Sequence, residues 1–124
     1  MGGVRRIAPG ERVGGQVTPG MRREQAIETE GMWAGFASVE AGVVSGWHHH
    51  GDYESAIYVL AGGLTMEFGP GGAESLSAGP GDFVLVEREA VHREINLGDV
   101  SCDAIVVRAG TGAAVINVDG PEPG

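Results

Sequence analysis

The sequence predicts an all-β fold, one small barrel preceded by an N-terminal arm. Three observations predict it. Short apolar runs of strand length recur at even spacing, glycine- and proline-rich turn signals separate them, and no segment after residue 30 keeps a helical period. The 23 glycines belong to the same pattern. Glycines placed between short apolar runs are what a barrel with many tight turns uses, and the absence of a strict triplet repeat excludes collagen.

Residues 1–30 form the arm, rich in Gly, Pro and Arg at its start. A short helix is expected in it, with Thr18 as cap, Pro19 at the first helical position and Met21 through Ile27 as its body. The barrel occupies residues 31–118. Its first strand, 32–39, alternates bulky and small residues, and the second, 43–50, carries three histidines. Strand 54–61 contains Ile57-Tyr58-Val59-Leu60, and 64–68 alternates Leu64, Met66 and Phe68 against Thr65 and Glu67. Strand 82–87 contains Phe83-Val84-Leu85-Val86, and strands over 90–96, 103–108 and 114–118 complete the set. The separators include Gly62-Gly63, Gly79-Pro80-Gly81 and Gly110-Thr111-Gly112. Gly69-Pro70-Gly71-Gly72 is a hairpin turn rather than a phosphate loop, because no helix or Lys-Ser/Thr pair follows it. Residues 119–124 are expected to fray.

A chain of 124 residues fits one domain, and 42% apolar content supplies its core. Cys102 is the single cysteine, so no internal disulfide forms. It sits in an apolar strand without the Cys or His neighbours of a zinc finger and reads as a small buried hydrophobe. The net charge of −9 with 8 Lys and Arg argues against nucleic acid and against an anionic membrane surface. No apolar run approaches the ~20 residues of a spanning helix. The N-terminus lacks a secretory signal, so a cytoplasmic location is expected.

The four histidines are His48, His49, His50 and His92. Alternate side chains of a strand share a face, so His48 and His50 point the same way, about 7 Å apart, and His49 points away. His92 lies in another expected strand. Two imidazoles on one face can take cis positions on a metal. Histidine sets with open positions suit Fe, Mn, Ni, Co or Zn.

The segment Gly42-x5-His48-x-His50-x3-Glu54, running on through Tyr58-Val59-Leu60-Ala61-Gly62, resembles the first motif of the cupin superfamily. Gly81-Asp82-Phe83-Val84-Leu85-Val86, followed by His92-x3-Asn96, resembles the second. The resemblance implies a jelly-roll-like β-barrel with one divalent transition metal inside its mouth, held by His48, His50 and His92. Two departures stand out. The Pro-x-Gly turn usual before the last histidine is replaced by Glu87-Arg88-Glu89. The usual fourth ligand, Glu or Gln, has two candidate positions. Counting forward from His50 allows Glu54 or Ser55, whereas counting back from Gly62 selects Ser55. Ser55, Ile57 and Val59 share one face, and Glu54 shares the other with Tyr58 and Leu60. A regular register turns Glu54 away, and a β-bulge near Asp52-Tyr53 would turn it inward. Two sites therefore stand open, three histidines alone or three histidines with Glu54.

Glu94 shares a face with His92 and Asn96. A carboxylate there is a candidate catalytic base or a partner for an imidazole N–H. Trp33 and Trp47 are expected in packing roles. The resemblance points to a metal-dependent enzyme acting on a small polar or chelating molecule by oxygenation, isomerisation or hydrolysis. The alternative is a non-catalytic module that binds or senses a small ligand. An apolar outer face including Tyr58 and Leu60 calls for cover, and together with the resemblance it predicts a homodimer.

Overall fold

The computed structural model describes residues 2–113 and 115–123. Eleven strands are described, all paired antiparallel: β1 (Val13–Gly14), β2 (Met21–Glu28), β3 (Met32–Val39), β4 (His48–His49), β5 (Glu54–Ala61), β6 (Leu64–Phe68), β7 (Glu74–Ala78), β8 (Phe83–Val86), β9 (His92–Ile95), β10 (Cys102–Ala109) and β11 (Ile116–Asn117). They form a six-stranded sheet in the order β1-β2-β3-β10-β5-β8 and a five-stranded sheet in the order β11-β4-β9-β6-β7. The two sheets face each other as a jelly-roll-like barrel. Its apolar core includes Val39, Ile57, Val59, Leu64, Met66 and Val106. In β10 the alternation is regular: Cys102, Ala104, Val106 and Arg108 point in, while Ile105, Val107 and Ala109 are exposed.

The short helix expected over residues 21–27 is absent. Those residues form β2, which pairs with β3 from Met21↔Val39 to Glu28↔Trp33, with a register shift between Gln25 and Ile27. Helix-forming side chains are a weak local preference, and the ladder offered by β3 overrides it. Thr18 is not a helix cap. It is fully buried, accepts a hydrogen bond from Arg23 Nη1 at 2.7 Å and donates to Asn117 Oδ1 at 2.9 Å. The second half of the arm is thus built into the barrel wall.

β7 has no counterpart in the sequence reading. Glu74-Ser75-Leu76-Ser77-Ala78 lacks an apolar alternation and is a strand because it lies along β6, with Leu64 opposite Ala78. The histidine-bearing strand is shorter than expected. Only His48–His49 is regular, with an isolated bridge from Val44 to Ile95. Ala114, the start of the last expected strand, lies outside the described residues. Before the tail Val118 N–H donates to Trp47 O, and within it Glu122 O accepts the Gly71 N–H.

The charged turn before β9 is closely tied. Arg88 Nε donates to Asp52 O at 2.9 Å, and Glu89 N–H donates to Gly51 O at 3.0 Å. Glu89 occupies the place of the usual glycine and adopts φ 59°, the one positive φ of a non-glycine among the described residues. Such a conformation costs roughly 1–2 kcal/mol for an L-residue. The two hydrogen bonds hold it, and His92 keeps its position.

Candidate metal centre

β4 and β9 lie side by side with His48 directly opposite His92. Because β-strand parity turns both inward, their rings stand 4.4 Å apart between centroids. His50 follows two residues after His48, where the chain turns at Gly51 with φ 58°, and its ring lies 5.0 Å from that of His92. All three histidines are buried, and one ring nitrogen from each lies within 4.8 Å of the others. His49 points the other way and accepts a hydrogen bond from Gly51 N–H on Nδ1. The parity expected from the sequence holds at all three positions.

The back of each ring is fixed. His48 Nδ1 lies 3.0 Å from Gly46 O, His92 Nδ1 lies 2.8 Å from Ala90 O, and His50 Nδ1 pairs with Ser55 Oγ at 2.6 Å. A carbonyl oxygen only accepts, so His48 and His92 carry their protons on Nδ1. Their Nε2 atoms then carry the free lone pairs, and both are buried without a hydrogen-bond partner among the described residues. Buried unsatisfied acceptors are costly. A cation at the point of convergence satisfies them, and fixing each tautomer by the far nitrogen is how histidine metal sites are oriented. The residues present therefore fit a divalent transition metal.

Glu94 adjoins the cluster. It lies two residues beyond His92 on β9, opposite Met66 of β6, and is buried. Its Oε1 is 3.2 Å from His92 Nε2 and its Oε2 is 3.4 Å from His48 Nε2. Two donors bound at about 2.1 Å to one ion stand roughly 3.0–3.5 Å apart, so these distances suit a common metal. The carboxylate meets the Nε2 nitrogens of these rings, not the Nδ1–H groups. Ser45 holds it in place: its hydroxyl lies 3.2 Å from Glu94 Oε2 and accepts the Glu94 N–H at 2.9 Å. Burial disfavours its charge, but the adjoining His92 and His48 outweigh that and hold its pKa well below the ordinary carboxylate range. His92 is shifted up, since the charge of Glu94 overcomes the effect of burial. His50 is shifted well down, first by burial and then by the charge of Arg108, which keeps it neutral and able to coordinate.

Glu54 is not part of the cluster. Its side chain is exposed, and the β5–β10 pairing is regular at that end, with Ser55 opposite Arg108 and Glu54 opposite Ala109. No bulge turns it inward. Ser55 faces the barrel interior, as parity requires, but its hydroxyl supports the back of His50 instead of facing the metal position. Asn96 is a clamp for the loop after β9, donating to Val39 O and Val100 O while accepting Gly98 N–H. Trp33 packs in the core as expected, with Arg108 stacked 4.2 Å from its ring centre. Trp47 lies outside the core and stacks against Arg93 at 4.5 Å.

Two site residues escaped the sequence reading, Arg108 and Arg23. Both are buried and line the interior cavity beside His50 and Glu94. The alternation Ala104, Val106, Arg108 was the available signal for the first. The second was hidden inside the segment read as helix.

A family model described as "Cupin domain" matches residues 35–108. No curated protein matches the chain. Among solved structures, the polyketide cyclase RemF from Streptomyces resistomycificus superposes with TM-score 0.74 at 20% identity, covering 93% of this chain and 85% of that one. KdgF from Halomonas sp. superposes with TM-score 0.69 at 21% identity, covering 86% and 94%. Oxalate decarboxylase of Bacillus subtilis, a protein with Mn(II) centres, superposes with TM-score 0.70 at 19% identity, covering 80% of this chain but 28% of that one. At these identities the likeness is one of fold. Among the described residues, no helix is long and apolar enough to cross a membrane.

Proposed function

The chain belongs to the cupin family, and from that membership we propose that it is a metal-dependent enzyme acting on a small polar or chelating molecule inside the barrel. The observation that carries this reading is the convergence of three buried histidines on one point with a buried carboxylate beside it. In this proposal His48, His50 and His92 supply three neutral nitrogens, and Glu94 supplies the fourth donor in place of the carboxylate the family usually carries on the strand of Ser55. Glu94 is then a ligand rather than the catalytic base expected from the sequence. An iron, manganese, nickel, cobalt or zinc ion held there would supply Lewis acidity, activated water or, with iron, oxygen chemistry. The chain's part is to fix the Nδ1 protons of His48 and His92 on Gly46 O and Ala90 O, to hold His50 through Ser55 Oγ, and to set the donors beside a mainly apolar cavity. Enzyme activity is also supported by the company the fold keeps, since two of the similar structures are by name a cyclase and a decarboxylase. The test is to reconstitute metal-free protein with each of the five metals, count bound ions, and follow oxygen uptake and product formation over a panel of small chelating molecules. One tightly bound ion per chain and turnover of one panel member are expected. A failure to bind any of the five would sink the proposal.

The outer face of the six-stranded sheet supports assembly into a homodimer. Phe83 and Leu85 are 75% and 63% exposed, Tyr58 stacks on Phe83 at 4.7 Å between ring centroids, and exposed Ile105 and Val107 extend the patch across β10. A contiguous apolar sheet face of this kind favours cover by a second copy. Sedimentation equilibrium at micromolar concentration should give twice the chain mass, and a monomer there would contradict the assignment.

A further inference from the structure

The barrel interior holds more positive charge than its own side chains neutralise. Among the described residues its buried charged groups are Arg23, Arg108 and Glu94. Arg23 has acceptors of its own: Nη1 donates to Gln16 O at 3.1 Å and to Thr18 Oγ1 at 2.7 Å. Arg108 does not. It is 1% exposed, and its Nε and Nη1 have no hydrogen-bond partner among the described residues. Its guanidinium stacks on the face of Trp33, which attracts the cation but accepts no N–H in the guanidinium plane. Burial and the neighbouring charge of Arg23 lower its pKa to about 9, which leaves it charged at neutral pH.

A buried guanidinium whose N–H groups lack acceptors is expensive even with the charge of Glu94 nearby, and replacing such a group by an apolar one of similar volume is often neutral or stabilising. Its location suggests a use. It lines, with His50 and Glu94, a narrow cavity of about 20 Å³ whose other walls are mainly apolar. That space suits one small polar group rather than a whole substrate. A divalent ion beside Glu94 would add two further positive charges to the same compartment. Planar, five-donor guanidinium groups match carboxylates better than any other anion-binding side chain does.

We propose that Arg108 is the substrate-carboxylate receptor of this barrel, so that the molecule acted on is a small carboxylic acid bound with its carboxylate on Arg108 and a second oxygen toward the histidine cluster. Arg23 assists through its charge while staying tied to Thr18 and Gln16. The assignment deepens the metal-enzyme reading and rests on it for the second contact, but the Arg108 contact is testable alone.

The experiment uses the whole chain, metal-free and cobalt-loaded, with lactate, its neutral amide lactamide, and inorganic phosphate as probes. Affinity is read by calorimetry and by thermal shift, and bound metal is counted on the same samples. Wild-type protein should bind lactate at least 30-fold more tightly than lactamide or phosphate. Arg108→Met should lower lactate affinity at least 30-fold, keep one metal per chain, and leave the melting temperature of the metal-free protein unchanged or raised. Arg108→Lys, which retains the charge without the planar donor fork, should fall between the two. Lactamide or phosphate binding as tightly as lactate would overturn the carboxylate assignment. Unchanged lactate affinity in Arg108→Met would overturn the receptor role, and so would a fall in melting temperature with no loss of affinity. Absence of bound cobalt in wild-type protein would defeat the metal reading, while lactate binding by the metal-free samples would still decide the role of Arg108.

Discussion

Alanine at His48, His50 or His92 is expected to abolish metal binding, and alanine at His49 is expected to leave it intact. The three inward imidazoles each supply one nitrogen to the same point, and no other described histidine can replace one. Changes to residues that only support a ligand lower metal affinity roughly 10–100-fold, and loss of a ligand itself exceeds that. His49 differs from its neighbours only in parity. Its ring lies half-exposed on the opposite face, with Nδ1 accepting the Gly51 N–H, so its removal costs about 1 kcal/mol of stability. Metal titration of the four variants decides the matter. Equal loss in His49→Ala and His50→Ala would contradict the parity on which the site is built.

Glu94→Gln should weaken metal binding more than 100-fold, the top of the range for supporting residues, whereas Glu54→Gln should change it less than twofold. The two substitutions have the same chemistry, an anionic oxygen exchanged for a neutral amide, and differ only in place. Glu94 touches the Nε2 atoms of His48 and His92, while Glu54 is turned out to solvent. Glu94→Gln also removes the buried negative charge that favours the charged forms of His92, Arg23 and Arg108, and its metal-free form should be destabilised. Urea denaturation of both metal-free variants measures that second effect. A large affinity loss in Glu54→Gln with none in Glu94→Gln would restore the ligand set that includes Glu54.

Strand parity made much of the site legible. It separated His49 from His48 and His50, turned Glu54 out and Ser55 in, and placed Glu94 beside His92. What parity cannot supply is the partner across the barrel. Ser55 was open to reading as a weak ligand until the structure placed His50 Nδ1 against its hydroxyl. Glu94 was read as a candidate base or imidazole partner because the strand period fixes its face but not its distance from the imidazole nitrogens. β2 was read as helix because Met21 through Ile27 favour helix locally, while its pairing with β3 is set by residues up to 18 positions away, as in Met21↔Val39. That misreading also hid Arg23. β7 went unseen because an edge strand beside β6 needs backbone hydrogen bonds more than an apolar alternation. Arg108 was legible by the alternation of β10 and passed over, since a charged residue at a strand end ordinarily faces water.

The most direct test of the metal centre is anomalous diffraction from crystals of the cobalt-loaded protein at the metal's absorption edge. One peak per chain is predicted, about 2.1 Å from Nε2 of His48, His50 and His92 and from a carboxylate oxygen of Glu94. An anomalous map with no peak at the three histidines, or with its peak on Glu54 or another surface group, would contradict the account.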